Sequence, residues 1–256
     1  MTLYIQKGED LQPTPLELLL PNTRFVFPTG KLRPTTVFEG KNSNAWFDVS
    51  SFTDRTMNET KQVDGIKESI LYLEGLSQAE IEILGDAGRV VVGGFSQGCA
   101  MVCMLMLSGV LDEAGIGGWV GMSGWLPFRI HLDRVARECA TGPDDSVKEV
   151  YAAKRAAVKG YLGGLLRIAG EGGAKQTRAI EDTGPEKEQR LWMGHGKDDT
   201  KVLYEWGVQM KDLMKNLGVN VVMKTYEELG HSNNEQEMKD LVGFLEGRWA
   251  QYLATE

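Results

Sequence analysis

The chain has 256 residues, of which 42% are hydrophobic and 25% charged, with a formal net charge of −8. That balance suits a soluble globular protein with one sizeable core. With no basic stripe in the sequence, it argues against nucleic acid or an anionic membrane surface as partner.

The first residues are the least patterned. Residues 1–12 lack a basic segment followed by an apolar one, so no signal peptide is expected. Leu18-Leu19-Leu20 stops at Pro21, and no apolar run reaches membrane-spanning length. Thr2-Leu3-Tyr4-Ile5 reads as a short strand, and Arg24-Phe25-Val26-Phe27 as a clearer one ending at Pro28. Residues 31–51 are irregular and read as a structured loop around Ala45-Trp46-Phe47-Asp48. Residues 61–84 carry helical spacing at Val63, Ile66, Ile70 and Leu73. Gly75 and the pair Ser77 and Glu80 suggest two helical pieces there, the second opened by a capping box.

Val90-Val91-Val92 then leads into Gly94-Phe95-Ser96-Gln97-Gly98 and an apolar run from Cys99 to Leu107. A strand, a tight Gly-x-Ser-x-Gly turn and a helix make a nucleophile elbow, which presents a serine hydroxyl at the carboxyl end of a sheet. The same turn sets the amide of Gln97 at a helix N-terminus, where it can donate to a developing oxyanion. Trp119 to Gly124 reads as a strand buried on both faces. From 129 to 190 the composition shifts to glycine and charge, which marks an insertion, lid or mobile loop with one glycine-interrupted helix within 147–168. Alternation then resumes: a strand at Leu191-Trp192-Met193-Gly194, a helix over 202–217, a strand over Asn220–Tyr226 and a closing helix over Glu235–Leu253. The β-α-β-α order predicts a mostly parallel central sheet with helices on both faces. The three cysteines, Cys99, Cys103 and Cys139, form neither a disulfide framework nor a zinc pattern and suit a reducing, cytoplasmic setting.

A serine hydroxyl needs a base, which is usually histidine because its pKa lies near neutrality. Of the three histidines, His231 in Gly230-His231-Ser232 falls between the last strand and last helix. His195 ends a strand, and His131 lies where no pattern is regular. Asp198 and Asp199 follow the strand that ends at Gly194, and either could orient the base; the spacing favours Asp199. The order Ser, Asp, His along the chain is that of the α/β-hydrolase fold.

Several segments, taken together, resemble the acyl-protein thioesterase and carboxylesterase family of α/β-hydrolases, in its fungal-type members. They are Phe25-Val26-Phe27-Pro28-Thr29, Ala45-Trp46-Phe47-Asp48, the elbow, Ser123-Gly124-Trp125-Leu126-Pro127, the stretch from His195-Gly196 to Asp199, and Gly230-His231-Ser232. The resemblance spans roughly 24–128 and 191–245, and implies one α/β-hydrolase domain over 1–256. It implies Ser96 as nucleophile, His231 as base and Asp199 as orienter, with Trp125 and Leu126 lining an acyl channel. It further implies an acyl ester or thioester substrate, S-acylated proteins among the candidates, and no metal or organic cofactor. Members of that family carry a His-Gly-x-Gly-type loop before the Phe-Pro segment, whose amide is the second oxyanion donor. No such motif precedes Arg24 here; Thr2 to Ile5 with Gln6 to Asp10 is the stretch available for that strand and loop. A catalytically impaired acyl-ligand binder on the same fold is therefore the alternative reading.

Overall fold

The computed structural model describes residues 4–5, 14–168 and 190–253. Two small antiparallel pairs come first. β1 (Tyr4–Ile5) pairs with β2 (Thr14–Pro15), which leads into the short α1 (Leu16–Leu19); β3 (Leu32–Pro34) pairs with β4 (Asn42–Asn44). After them α2 (Val63–Leu84), β5 (Val91–Phe95), α3 (Gln97–Ser108) and β6 (Gly118–Met122) follow in order. Then come α4 (Arg129–Glu138), α5 (Val147–Leu166), β7 (Arg190–Gly196), α6 (Tyr204–Asn216), β8 (Asn220–Tyr226) and α7 (Glu235–Leu253).

β5, β6, β7 and β8 form one four-stranded sheet in that order, every pair parallel. Side chains alternate across such a sheet, and the core divides accordingly. Trp119, Leu191, Met193 and Val221 point into a large cluster shared with α2 through α6. Val120, Met122 and Trp192 point the other way, onto Met238, Leu241 and Leu245 of α7 and onto Leu16 and Leu20. Helices therefore cover both faces.

The expected continuous burial of the Trp119 strand holds, since all of β6 is buried. Four expectations do not hold. The Arg24 to Phe27 segment forms no strand; Phe25 packs on the α7 cluster and stacks with Phe27 at 6.2 Å. The 31–51 stretch contains the β3–β4 hairpin, whose residues Asn42-Ser43-Asn44 are too polar to read as a strand by pattern. α2 is one continuous helix, not two. Ser77 Oγ donates to Leu73 O (2.8 Å) instead of capping a second piece, and the true stop is Gly85, at φ 72° with its amide on Ile81 O. A glycine in mid-helix is tolerated where the helix is otherwise strongly packed, and Ile66, Ile70 and Leu73 are all buried. Finally, Tyr4–Ile5 joins β2 and not the central sheet, so β6 is the only strand neighbour of β5 among the described residues. The Gln6 to Asp10 loop lies outside the described residues.

The described part of the 129–190 region is packed, and the helix expected within 147–168 is present as α5. Leu132 and Ala136 of α4, and Val158, Leu162 and Leu166 of α5, belong to the large cluster. The reason lies in α3, where every residue from Cys99 to Leu107 is buried. A helix apolar all round needs cover on the side away from the sheet, and α5 supplies an i, i+4, i+8 apolar stripe. α5 also starts on a full capping box, with Ser146 and Glu149 each bonded to the other's backbone amide. Glycines 160, 163 and 164 diluted that stripe in the sequence. Residues 169–189 lie outside the described residues.

Candidate active site

Ser96 sits between β5 and α3 with φ 56° and ψ −119°, a conformation that costs a non-glycine residue on the order of 1–3 kcal/mol. The turn is held by steric necessity. A Cβ on Gly94 would lie 2.3 Å from the carbonyl carbon and oxygen of Gly98, so only glycine admits this approach of helix to strand. A Cβ on Gly121 or Gly124 would come within 2.7 or 2.3 Å of Cys99 Sγ, which places the buried Cys99 as a wedge under the elbow.

Strand ends are stitched together in sequence order. Ser96 N donates to Met122 O (2.8 Å) and Ser123 N to Gly194 O (2.9 Å). Beyond β7, Lys197 N donates to Tyr226 O (2.9 Å) and Asp198 N to Leu229 O (3.1 Å), so the loop after β7 is zipped to the loop after β8. Those bonds deliver Asp199 to His231. The imidazole Nδ1 lies 2.7 Å from Asp199 Oδ2, and Nε2 lies 2.9 Å from Ser96 Oγ. The carboxylate can only accept, so Nδ1 carries the proton and Nε2 is left to accept from the serine hydroxyl. The Phe95 ring, 4.9 Å from the imidazole, backs it.

Asp199 is 3% exposed, and its other oxygen accepts from the amides of Lys201 (2.9 Å) and Val202 (2.8 Å). A carboxylate so supplied can be buried without a large penalty. Asp198 is exposed, which separates the two candidates. His195 makes its hydrogen bond to Val202, not to the serine. It is buried, with Nε2 2.9 Å from Val202 O and 3.5 Å from Asp199 Oδ2, and burial pushes its pKa down despite both neighbours. It therefore acts as a neutral brace under the Asp199 loop. His131, on α4, stacks on Tyr161 (6.4 Å) and stands 4.0 Å from Glu59.

Gln97 opens α3, so its amide is one of those left without an intrahelical acceptor. Its side chain has a second role that the sequence reading missed. Oε1 accepts from Trp46 N (2.9 Å) and Nε2 donates to Phe47 O (2.9 Å), which ties the Ala45-Trp46-Phe47 loop to the elbow. Trp125 and Leu126 are 3% and 4% exposed and form part of the wall of a cavity of about 230 Å³. Arg55, also missed, stands in that wall. A lone arginine in an irregular loop carries no sequence signal.

The family model for phospholipase/carboxylesterase proteins matches residues 11–157 and 159–248. The chain belongs to this family. Acyl-protein thioesterase 1 of Yarrowia lipolytica is 24% identical over 229 residues, covering 89% of this chain and 78% of the relative. That of Mycosarcoma maydis is 27% identical over 239 residues, with the same coverage of each. Among solved structures, Arabidopsis thaliana SOBER1 superposes with a TM-score of 0.61 at 22% identity, covering 90% of this chain and 86% of that one. Zea mays acyl-protein thioesterase 2 superposes with a TM-score of 0.55 at 25% identity, covering 86% and 79%. The fold is that of the α/β-hydrolases, as the order of strands and helices predicts. Among the described residues no helix is long and apolar enough to cross a membrane.

One further group in this family member bears on pH. Glu237, in the first turn of α7, is fully buried against Gly194, and neither carboxyl oxygen has a hydrogen-bond partner among the described residues. Burial, reinforced by Asp240, pushes its pKa from 4.5 up to about 8. The folded state then holds a proton that the unfolded state releases between those values, so this group's contribution to stability falls as pH rises from about 4.5 to about 8. Glu237→Gln is expected to melt close to the parent at pH 5 and above it at pH 8 and beyond, by several degrees in thermal scans. Parallel melting curves for the two proteins across that range would refute the assignment.

Proposed function

We infer that the chain is a serine hydrolase that cleaves acyl thioesters or carboxylesters through an acyl-enzyme intermediate. The reading is carried by the hydrogen-bonded line from Ser96 Oγ through His231 to Asp199, with steps of 2.9 and 2.7 Å. Family membership and relatives named acyl-protein thioesterase support the substrate class. S-acylated proteins fall within it, and no metal or organic cofactor enters the scheme.

In this scheme His231 Nε2 takes the Ser96 proton as the oxygen attacks the acyl carbon, and Asp199 stabilises the resulting imidazolium. The tetrahedral oxyanion accepts from the Gln97 amide at the positive end of α3. The imidazolium then protonates the leaving thiolate or alkoxide. Water attacks the acyl-enzyme by the same route in reverse and regenerates Ser96. Trp125 and Leu126 contact the acyl group.

A fluorophosphonate probe is expected to label the folded protein at Ser96, and Ser96→Ala to abolish labelling. Turnover of a water-soluble acyl thioester should accompany it. The acyl-ligand-binder reading, which draws on the absent His-Gly-x-Gly motif, predicts the contrary: acyl ligands bound by a folded protein with neither labelling nor turnover.

A further inference from the structure

The loop Ala45-Trp46-Phe47 is held at each of its residues. Arg33 Nε donates to Ala45 O (2.9 Å) and Ser69 Oγ to Trp46 O (2.6 Å). Phe47 O accepts from Gln97 Nε2, and Trp46 N donates to Gln97 Oε1, both at 2.9 Å. Ala45 N donates to Lys31 O (3.1 Å). Arg33 is in turn paired with Glu68 of α2 (2.8 Å), and Ser69, 3% exposed, sits one residue further along that helix. Two glycines press on the same backbone. A Cβ on Gly30 would lie 2.7 Å from the carbonyl carbon of Ala45, and one on Gly65 of α2 would lie 2.7 Å from Phe47 Cα. A loop bonded in this way, with other backbone so close, has little room to shift.

Gln97 has use for such an anchor. As the first residue of α3 it lies where amides find no intrahelical acceptor, and it follows Ser96, whose φ is 56°. β5 has β6 as its only strand neighbour among the described residues, so no second strand braces the elbow there. The carboxamide instead ties residue 97 to a rigid stretch about fifty residues away. Misplacing a reacting or stabilising group by about 1 Å costs on the order of a hundredfold in rate.

Resting on the hydrolase reading above, we propose that the Gln97 side chain is a positioning residue for the oxyanion. Its carboxamide docks the Ser96–Gln97 peptide on the 45–47 loop, and Ser69 passes that restraint on to α2. The side chain touches no reacting atom in this scheme. It acts through the amide of its own residue, which it holds in place for the charge that develops in the tetrahedral intermediate.

Two variants test this. Gln97→Met keeps the amide and the length of the side chain and removes both bonds, whereas Ser69→Ala releases Trp46 O and leaves Gln97 intact. Cooperative melting shows that each is folded, and Ser69→Ala decides the matter if Gln97→Met is not. On a model acyl thioester, Gln97→Met is expected to lower kcat roughly ten- to a hundredfold and Ser69→Ala several-fold, with KM within about twofold of the parent. A hexyl trifluoromethyl ketone supplies the second measurement. Ser96 Oγ bonds to its carbonyl carbon, the serine proton passes to His231 Nε2, and the carbonyl oxygen becomes an oxyanion. The matching secondary alcohol binds without that step. Affinity for the ketone should fall in proportion to kcat/KM in both variants, and affinity for the alcohol should not change. A clamp with a structural role alone would lower the melting temperature and leave kcat and ketone affinity at parental values, which overturns the proposal. Equal losses for ketone and alcohol overturn it too. A parent protein that neither turns over the thioester nor forms the ketone adduct refutes the hydrolase and this proposal together, whereas a competent parent matched by both variants refutes the proposal alone.

Discussion

Ser96→Ala is expected to lower kcat for a model acyl thioester by about 10,000-fold or more while leaving KM within a few-fold. On the proposed mechanism the hydroxyl accounts for the whole covalent route, and the residual rate is what binding and the Gln97 amide would give to direct attack by water. His231→Ala should fall to a similar level, because an unactivated alcohol at neutral pH is scarcely nucleophilic. Asp199→Asn should cost somewhat less in kcat. It keeps the acceptor for Lys201 and Val202, bonded now at 2.9 and 2.8 Å, but presents no negative charge to the imidazolium. The combined Ser96→Ala, His231→Ala variant should be no slower than either single one, since on the proposed mechanism the three side chains act as a unit. Single-turnover and steady-state kinetics on one thioester series check all four. Independent, multiplicative losses, or a Ser96→Ala protein of near-parental rate, would show that the 2.9 Å contact between Ser96 and His231 is not the reacting pair.

Gly94→Ala is expected to cost at least ~3 kcal/mol in stability, with activity lost in whatever folds. The added carbon would sit 2.3 Å from backbone atoms of Gly98, and backbone inside a helix start cannot swing aside as a side chain can. Relief requires moving α3 off β5, which takes the Gln97 amide and Ser96 Oγ out of position together. The motif's other glycine differs. A Cβ on Gly98 would find its nearest neighbour at 4.0 Å, the indole nitrogen of Trp46, so Gly98→Ala should be mild. Gly75→Ala, in open space on α2, should be neutral or stabilising by up to about 1 kcal/mol. Denaturant melts of the three variants give the ranking, and a Gly94→Ala protein as stable as Gly98→Ala would refute this account of the elbow.

Much of this was readable along the chain because the signals are local. A β-branched run, Gly-x-Ser-x-Gly and an apolar run specify strand, turn and helix through backbone sterics alone, and the later strands and helices show clean periods of two and 3.6 residues. Asn220–Tyr226 and Glu235–Leu253 fall where the pattern puts them. The failures share a cause. The continuous α2 and α4 pack on partners distant in sequence, and the β3–β4 hairpin is built from polar residues, so local composition misleads in each.

The sequence by itself determined the class of the chain, the elbow and the short set of residues from which the site is drawn: one serine, His231 or His195, Asp199 or Asp198. Position and spacing already favoured His231 and Asp199 within that set, and the tertiary structure adds their contacts. Asp199 is buried on the amides of Lys201 and Val202, backbone bonds between the loops after β7 and β8 bring it to His231, and His195 bonds to Val202. Only packing likewise decided that Arg55 stands against Trp125 with an unpaired donor. Covalent neighbours set backbone conformation, whereas burial and unpaired polar groups depend on which distant surfaces close over them. A linear pattern records the first and not the second.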